Sequence, residues 1–133
     1  MRIGELAVIS GVPAKTIRYY EHIGVLDVPN RTASGYRDYE ATTADRLAFI
    51  RAAQAVGLTL GEIRSIVALR DRGETPCGHV LELITAREAE IEERIAELRK
   101  VGADLRRLST RARRLDPSNC DPRRVCHLIG DDS

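Results

Sequence analysis

Three cysteines carry the most distinctive chemistry of this 133-residue chain: Cys77, Cys120 and Cys126. An odd number argues against a disulfide framework and favours free thiols or metal ligands. Thiolates select soft ions, such as zinc, cadmium, lead, mercury or copper(I), over magnesium or calcium. A lone cysteine is often only a small buried hydrophobic residue. Cys120 and Cys126, however, lie in a polar segment rich in Asp, Pro and Arg, where burial explains them less well.

Other side chains near the thiols leave alternatives open. His79 and His127 each lie close to a cysteine and are further candidate ligands, although a surface or supporting role is more common for such histidines. A thiol redox switch, in which Cys120 and Cys126 form a disulfide, would respond to oxidant and not to metal. We find no Gly-rich phosphate loop, no Ser/His/Asp set and no paired carboxylates in a pocket-forming context, so the chain is not predicted to be an enzyme.

The elements that must position the thiols are predicted to be mostly helical. Residues 3–23 have the pattern of two short helices separated by a Gly-Val-Pro turn, and residues 25–40 have the turn residues of a two-stranded hairpin, or wing. Residues 43–72 form two further helices, with Thr59 and Glu62 in capping-box spacing. Together, residues 1–72 are predicted to be a winged helix-turn-helix domain. Its helices are predicted to bury Ile3, Leu6, Ala7 and Ile9; Leu47, Ile50, Ala53 and Gln54; and Ile63, Ile66, Val67 and Leu69.

A long helix follows, over residues 77–115. Its apolar or small positions are mostly three and four residues apart, which is typical of a coiled coil. A chain this small cannot cover such a helix, so we expect a homodimer, followed by a short effector loop and tail over residues 116–133. The predicted seam consists of Leu81, Ile84, Ile91, Ile95, Leu98, Val101, Leu105, Leu108, Ala112 and Leu115.

Charge and hydropathy limit the classes of partner. The net charge is +1, and residues 1–40 carry five basic and five acidic side chains. A non-specific nucleic-acid coat would be strongly basic, so any recognition of DNA must come from placed residues. No run approaches the ~18 apolar residues that span a bilayer, and no signal-peptide stretch is seen. We therefore expect a cytoplasmic protein with no membrane partner.

Several motifs in the first 70 residues resemble the MerR family of bacterial transcription regulators. They are MRIGELA over 1–7, GV over 11–12, TIRYYE over 16–21, GVL over 24–26 and GYRDY over 35–39. The resemblance implies a dimer held by a long antiparallel helix and bound to a palindromic operator in double-stranded promoter DNA. It also implies activation with RNA polymerase, when the effector-bound dimer distorts the promoter.

The DNA-binding residues follow from this resemblance and from side-chain chemistry. Polar and cationic groups at the exposed start of a recognition helix can meet base edges in the major groove. Cations of the wing can hold the flanking phosphates, which fixes register without reading sequence. The alternatives are that Arg18 is a solvated charge and that Tyr19 and Tyr20 pack in the core. The candidates are Lys15, Thr16, Arg18 and Tyr19 in the helix and Arg31, Tyr36 and Arg37 in the wing.

The cysteine positions are similar to those of the metal-sensing members of the family. Such members carry a cysteine at the start of the dimer helix, as Cys77 does, and two in the following loop. Cys120 comes later than the usual first loop cysteine, whereas Cys126 resembles the closing one more closely. The resemblance implies a soft divalent ion (zinc, cadmium, lead or mercury) bound by Cys77 of one chain and Cys120 and Cys126 of the other. Copper(I) held by Cys120 and Cys126 alone is the alternative.

Overall fold

The structure is a computed structural model that describes residues 1–130; residues 131–133, the end of the predicted effector loop, lie outside the described residues. It divides into two compact units, residues 1–87 and residue 88 onward. The prediction of a mostly helical chain is confirmed. The elements are α1 (Ile3–Ser10), α2 (Ala14–Ile23), β1 (Asn30–Arg31), β2 (Arg37–Asp38), α3 (Ala41–Ala55), α4 (Leu60–Asp71), α5 (Cys77–Arg114) and a 3₁₀ turn (Pro117–Asn119).

The hydrophobic core lies within the first unit. Each of the helices α1 to α4 contributes its apolar stripe, and the start of α5 packs against it through Val80 and Leu83. The side chains are aliphatic apart from two tyrosines, as the low aromatic content requires. The buried members are Leu6, Val12, Ile17, Tyr20, Val25, Leu26, Tyr39, Leu47, Ile50, Ala53, Leu58, Ile63, Ile66 and Val67.

Three residues of the predicted core faces were wrongly placed there: Ile9, Leu69 and Gln54, of which Gln54 is exposed. Ile9 is 63% exposed, and Leu69 remains half exposed. Ile9 and Leu69 each lie six residues after a core-packing residue of the same helix, Ile3 or Ile63. At 3.6 residues per turn this is about 240° around the helix, so both side chains leave the face that packs on the core.

Local signals in the sequence set the helix ends. The capping box of α4 is confirmed: Glu62 N donates to Thr59 Oγ1 at 3.1 Å, and Thr59 N donates to Glu62 Oε1 at 2.9 Å. The hydrogen bond from the Thr59 backbone N–H to the carboxylate is the largest of the causes that lower the pKa of Glu62. At the turn after α1, Gly11 has φ +70°, a left-handed backbone conformation that residues other than glycine rarely adopt. Arg51 of α3 donates to the carbonyl of Ser10 beside it at 2.8 Å.

The predicted wing, residues 25–40, is an antiparallel hairpin of two short strands, in which Arg31 pairs with Arg37. It is joined to α2 by the carboxylate of Glu21, whose side chain is only 5% exposed. Tyr39 Oη donates to Glu21 Oε1 at 2.6 Å, and Arg37 Nη1 forms an ion pair with Glu21 Oε2. A buried charge is tolerated when it is paired and hydrogen-bonded. Glu21 therefore fixes the wing on the helix that precedes it.

Burial, followed by the hydrogen bond to Glu21, raises the pKa of Tyr39. The phenol consequently stays protonated at neutral pH and keeps donating to the carboxylate. The pKa of Arg37 is also raised, first by its hydrogen bond with Tyr39 and second by the negative charge of Glu21.

The predicted dimer helix is observed as α5, one residue shorter at its end than expected. None of its residues is buried within the single chain. Its predicted seam is instead exposed, with Ile95 at 42% and Leu98 at 65%. Such a continuous apolar face in contact with water indicates a surface that a partner chain would cover.

We predict that Glu21→Ala lowers the free energy of unfolding by about 1–3 kcal/mol, because the buried Tyr39 hydroxyl loses its acceptor. Tyr39→Phe should cost less, about 1 kcal/mol, because Glu21 keeps its pair with Arg37. Urea unfolding followed by circular dichroism measures both, with the exposed Glu40→Ala as control. A Glu21→Ala protein as stable as the control would contradict this role.

Candidate nucleic-acid interface and metal centre

The two sides of α2 separate its packing residues from its candidate DNA-binding residues. Ile17, Tyr20 and Glu21 are buried, at the i, i+3, i+4 spacing of one helix face. The predicted DNA-contacting residues Lys15, Arg18 and Tyr19 repeat this spacing and are exposed, and Thr16 is half buried between them. The structure thus brings these four side chains to the surface of one short helix, which is what major-groove recognition requires.

The two adjacent tyrosines of α2 have different roles. Tyr20 is 6% exposed and belongs to the core, where its hydroxyl donates to Gln54 Oε1 of α3 at 3.3 Å. Tyr19 is 52% exposed and does not belong to the core. The core-packing alternative therefore holds for Tyr20 alone.

The wing presents its three predicted phosphate-binding residues unequally. Arg31 is exposed, and its Nη1 donates to the carbonyl of Gly35 at 2.8 Å across the turn. Tyr36 is also exposed. Arg37 is half buried and committed to Glu21, so its charge is partly neutralised before any DNA arrives.

Sequence reasoning missed Arg2. Its guanidinium lies 4.2 Å from the centre of the Tyr36 ring, in cation–π geometry. Arg2 is exposed and adds a positive charge beside the wing. No local pattern links residues 34 positions apart, so only the folded chain reveals this pair.

All three cysteines are free and exposed. Cys77 is the first residue of α5, and Cys120 follows the 3₁₀ turn directly. Cys126 lies among the turns of the tail, with His127 half buried next to it. The donor set therefore consists of accessible thiols, whose chemistry fits a soft metal ion.

Two acidic residues of the described part of the tail, Asp116 and Asp121, already accept hydrogen bonds within their own turns. Asp116 Oδ1 accepts from Ser118 N at 3.0 Å, which lowers the pKa of Asp116. Asp121 Oδ1 accepts from Arg123 N at 3.0 Å. Across residues 1–130 of one chain, no group of three or more His, Cys, Asp or Glu side chains could hold a metal ion.

His79 is held by α4. Its Nε2 lies 2.7 Å from Ser65 Oγ, and the two side chains are partly buried. Eight residues further along α5, Arg87 Nη2 donates to Glu62 Oε1 at 2.6 Å. The start of α5 is thus hydrogen-bonded to α4 at two places.

The helices described here include none that is both long and apolar enough to cross a membrane.

Comparison with known proteins identifies the family. A model of MerR HTH family regulatory proteins matches residues 1–70, and one of the MerR DNA-binding region matches residues 44–108. The chain is 41% identical over 100 residues to the mercuric resistance operon regulatory protein of Bacillus cereus, an alignment that covers 75% of this chain and 76% of the relative.

Two solved structures extend the similarity to nearly the whole chain. The regulator PbrR691 from Ralstonia metallidurans CH34, in complex with lead(II), is 36% identical with a TM-score of 0.74, over 97% of this chain and 96% of that one. A MerR regulator from Bacillus megaterium MB1, in complex with mercury(II), is 33% identical with a TM-score of 0.63, over the same shares. These relatives are regulators and not enzymes, as the sequence predicted. The chain belongs to the MerR family of DNA-binding transcription regulators.

Proposed function

We propose that the protein is a metal-responsive regulator that binds a palindromic operator as a homodimer and activates transcription when a soft divalent ion binds. The observation that carries this proposal is the set of three free, exposed thiols at the start of α5 and beyond its end. Relatives that bind lead(II) or mercury(II), or regulate mercuric resistance, support it. Zinc, cadmium, lead and mercury are the candidate ions.

The exposed apolar face of α5 supports the dimer. If two copies of α5 pair in antiparallel orientation, the start of one lies near the end of the other. Cys77 of one chain would then join Cys120 and Cys126 of its partner in one intersubunit site, which agrees with the absence of a three-ligand group within residues 1–130 of one chain. A bound ion would supply a cross-link between the start of one helix and the tail of the partner.

The exposed face of α2 supports specific recognition of promoter DNA. A dimer presents two such helices, which fits the two halves of a palindrome. Arg31 and Tyr36 would contact the flanking backbone, and RNA polymerase would act on the distorted promoter. We place this activity in the cytoplasm, where thiols stay reduced.

Arg18→Ala should weaken operator binding about tenfold or more, the effect of losing about 1.4 kcal/mol of contacts to base edges. Because it reads bases, Arg18 should matter more on the operator than on random DNA. Arg31→Ala should weaken both complexes equally and reduce their salt dependence. Electrophoretic mobility shifts over a salt series measure this, with Lys100→Ala as a charge control. Equal losses on both DNAs for Arg18→Ala would rule out base recognition by this residue.

Ile95→Glu should dissociate the dimer, because an unpaired charge buried in the seam costs several kcal/mol. Ala89→Glu introduces the same side chain about 160° around the helix from Ile91 and should leave the dimer intact. Sedimentation equilibrium distinguishes the two variants. If Ile95→Glu remained a dimer of wild-type stability, the seam would have to lie on another face of α5.

Cys77→Ser should abolish tight binding of zinc, cadmium, lead and mercury, because the site loses one of its three thiolates. Titration of each ion, together with induction of a reporter gene, measures this. Retained copper(I) induction would identify the two-thiolate alternative. Induction by oxidant and by no metal would identify a disulfide between Cys120 and Cys126. Either outcome, or divalent induction that survives Cys77→Ser, contradicts the proposed site.

A mixed dimer tests whether the site is shared between chains. One chain carries Cys77→Ser and the other carries both Cys120→Ser and Cys126→Ser. An intersubunit arrangement leaves one complete site per mixed dimer, whereas sites built within each chain would all be broken. Stoichiometric binding of one cadmium ion is the expected result.

A further inference from the structure

The hydrogen bonds around Ser65 define the donor and the acceptor in its contact with His79 Nε2. Ser65 Oγ donates its one proton to the carbonyl of Glu62, at 2.6 Å. Toward His79 Nε2, at 2.7 Å, the hydroxyl can therefore only accept. His79 Nε2 must carry the hydrogen of this bond, so the ring is a donor to α4.

Helix geometry directs His79 and Cys77 to different sides of α5. Side chains two residues apart on an α-helix point about 160° away from each other. The His79 side chain is directed to Ser65 of α4, whereas Cys77 is exposed. His79 is thus poorly placed to share an ion with Cys77, although it was one of the candidate ligands.

The contacts of α4 extend from this bond toward the DNA-binding helix. Glu62 receives the Ser65 hydroxyl on its carbonyl and Arg87 on its carboxylate, and it also closes the capping box of α4. Ile63 and Ile66 of α4 are buried in the same core as Ile17 of α2. A displacement of the first turn of α5 would therefore also displace α4 and the core that α4 shares with α2, the candidate recognition helix.

We propose that His79 is a positioning residue that couples the metal site to the DNA-binding domain through Ser65. The inference depends on the proposed function, since it takes Cys77 to be a ligand. Binding of the ion to Cys77 would displace the start of α5. The hydrogen bond between His79 and Ser65 would then displace α4 together with it. His79 would therefore couple occupancy of the metal site to the position of α4, and it would not bind the ion.

The test uses the full-length dimer on an operator labelled with a fluorescent donor and acceptor at its two ends. Cadmium is the probe, because its binding to thiolates is seen directly by ultraviolet absorption while energy transfer reports the shape of the DNA. Ser65→Ala and His79→Asn remove the bond. Ser65→Thr keeps the hydroxyl, and His79→Gln places an amide N–H near the position of Nε2, so these two variants are matched controls.

All four variants should bind cadmium as tightly as the wild type. In Ser65→Ala and His79→Asn, the cadmium-induced shift between the two operator shapes should fall about fivefold or more, the lower range of allosteric coupling. Ser65→Thr and His79→Gln should retain most of it. Melting curves identify any variant that fails to fold. If Ser65→Ala or His79→Asn does not fold, Ser65→Thr and His79→Gln still test the proposal, because loss of coupling in both of them would contradict the role of the hydrogen bond.

Two results would overturn the inference while leaving the proposed function intact. One is a normal shift in DNA shape for Ser65→Ala and His79→Asn. The other is loss of cadmium binding in His79→Asn, which would make His79 a ligand. Failure of the proposed function has a different signature, because wild-type protein would then bind no cadmium or Cys77→Ser would still bind it.

Discussion

The uncovered apolar face of α5 is the constraint on which the proposed regulator depends. Side chains such as Ile91, Ile95 and Leu105 are 42% to 59% exposed in a single chain. Fully burying a Leu or Ile stabilises by about 1.5–3 kcal/mol, whereas association costs about 4–15 kcal/mol. A few such residues from each chain are enough to offset that cost. The proposed pairing that covers this face would also decide which cysteines can meet, so the proposed metal site and the proposed dimer would share one cause.

Features of the fold that arise from local pattern were predictable from the sequence. The capping box of Thr59 is a contact over three residues, and the buried faces of α3 and α4 follow the period of the helix. Ile9 and Leu69 were wrongly assigned to the buried faces. Each lies six residues after a core-packing residue, and six residues are not close to a whole number of helical turns. The ion pair between Glu21 and Arg37 was not predictable, since it joins residues 16 apart whose meeting depends on how the wing folds back.

The candidate site was predictable in its residue types but not in its connections. The positions of the cysteines indicated a soft-metal site, because the thiol itself determines which ions it prefers. The sequence could not show that His79 faces Ser65, because this contact requires α4 and α5 to pack at a particular rotation. Arg2 and Tyr36 meet for a similar reason. Tertiary packing thus assigns supporting roles that spacing alone leaves open.

The two units differ in what can hold them in shape. The first unit has a shared core, so its helices are ordered without any ligand. Of the described residues 116–130, none is buried within the single chain, and the turns at Asp116 and Asp121 order only a few residues each. Fixing the backbone of one residue costs about 1–2 kcal/mol, which such short turns cannot offset over the whole tail. The partner chain and the bound ion of the proposed function would supply further stabilisation. A segment that needs such a partner to become ordered can report on its presence, whereas one with its own core could not.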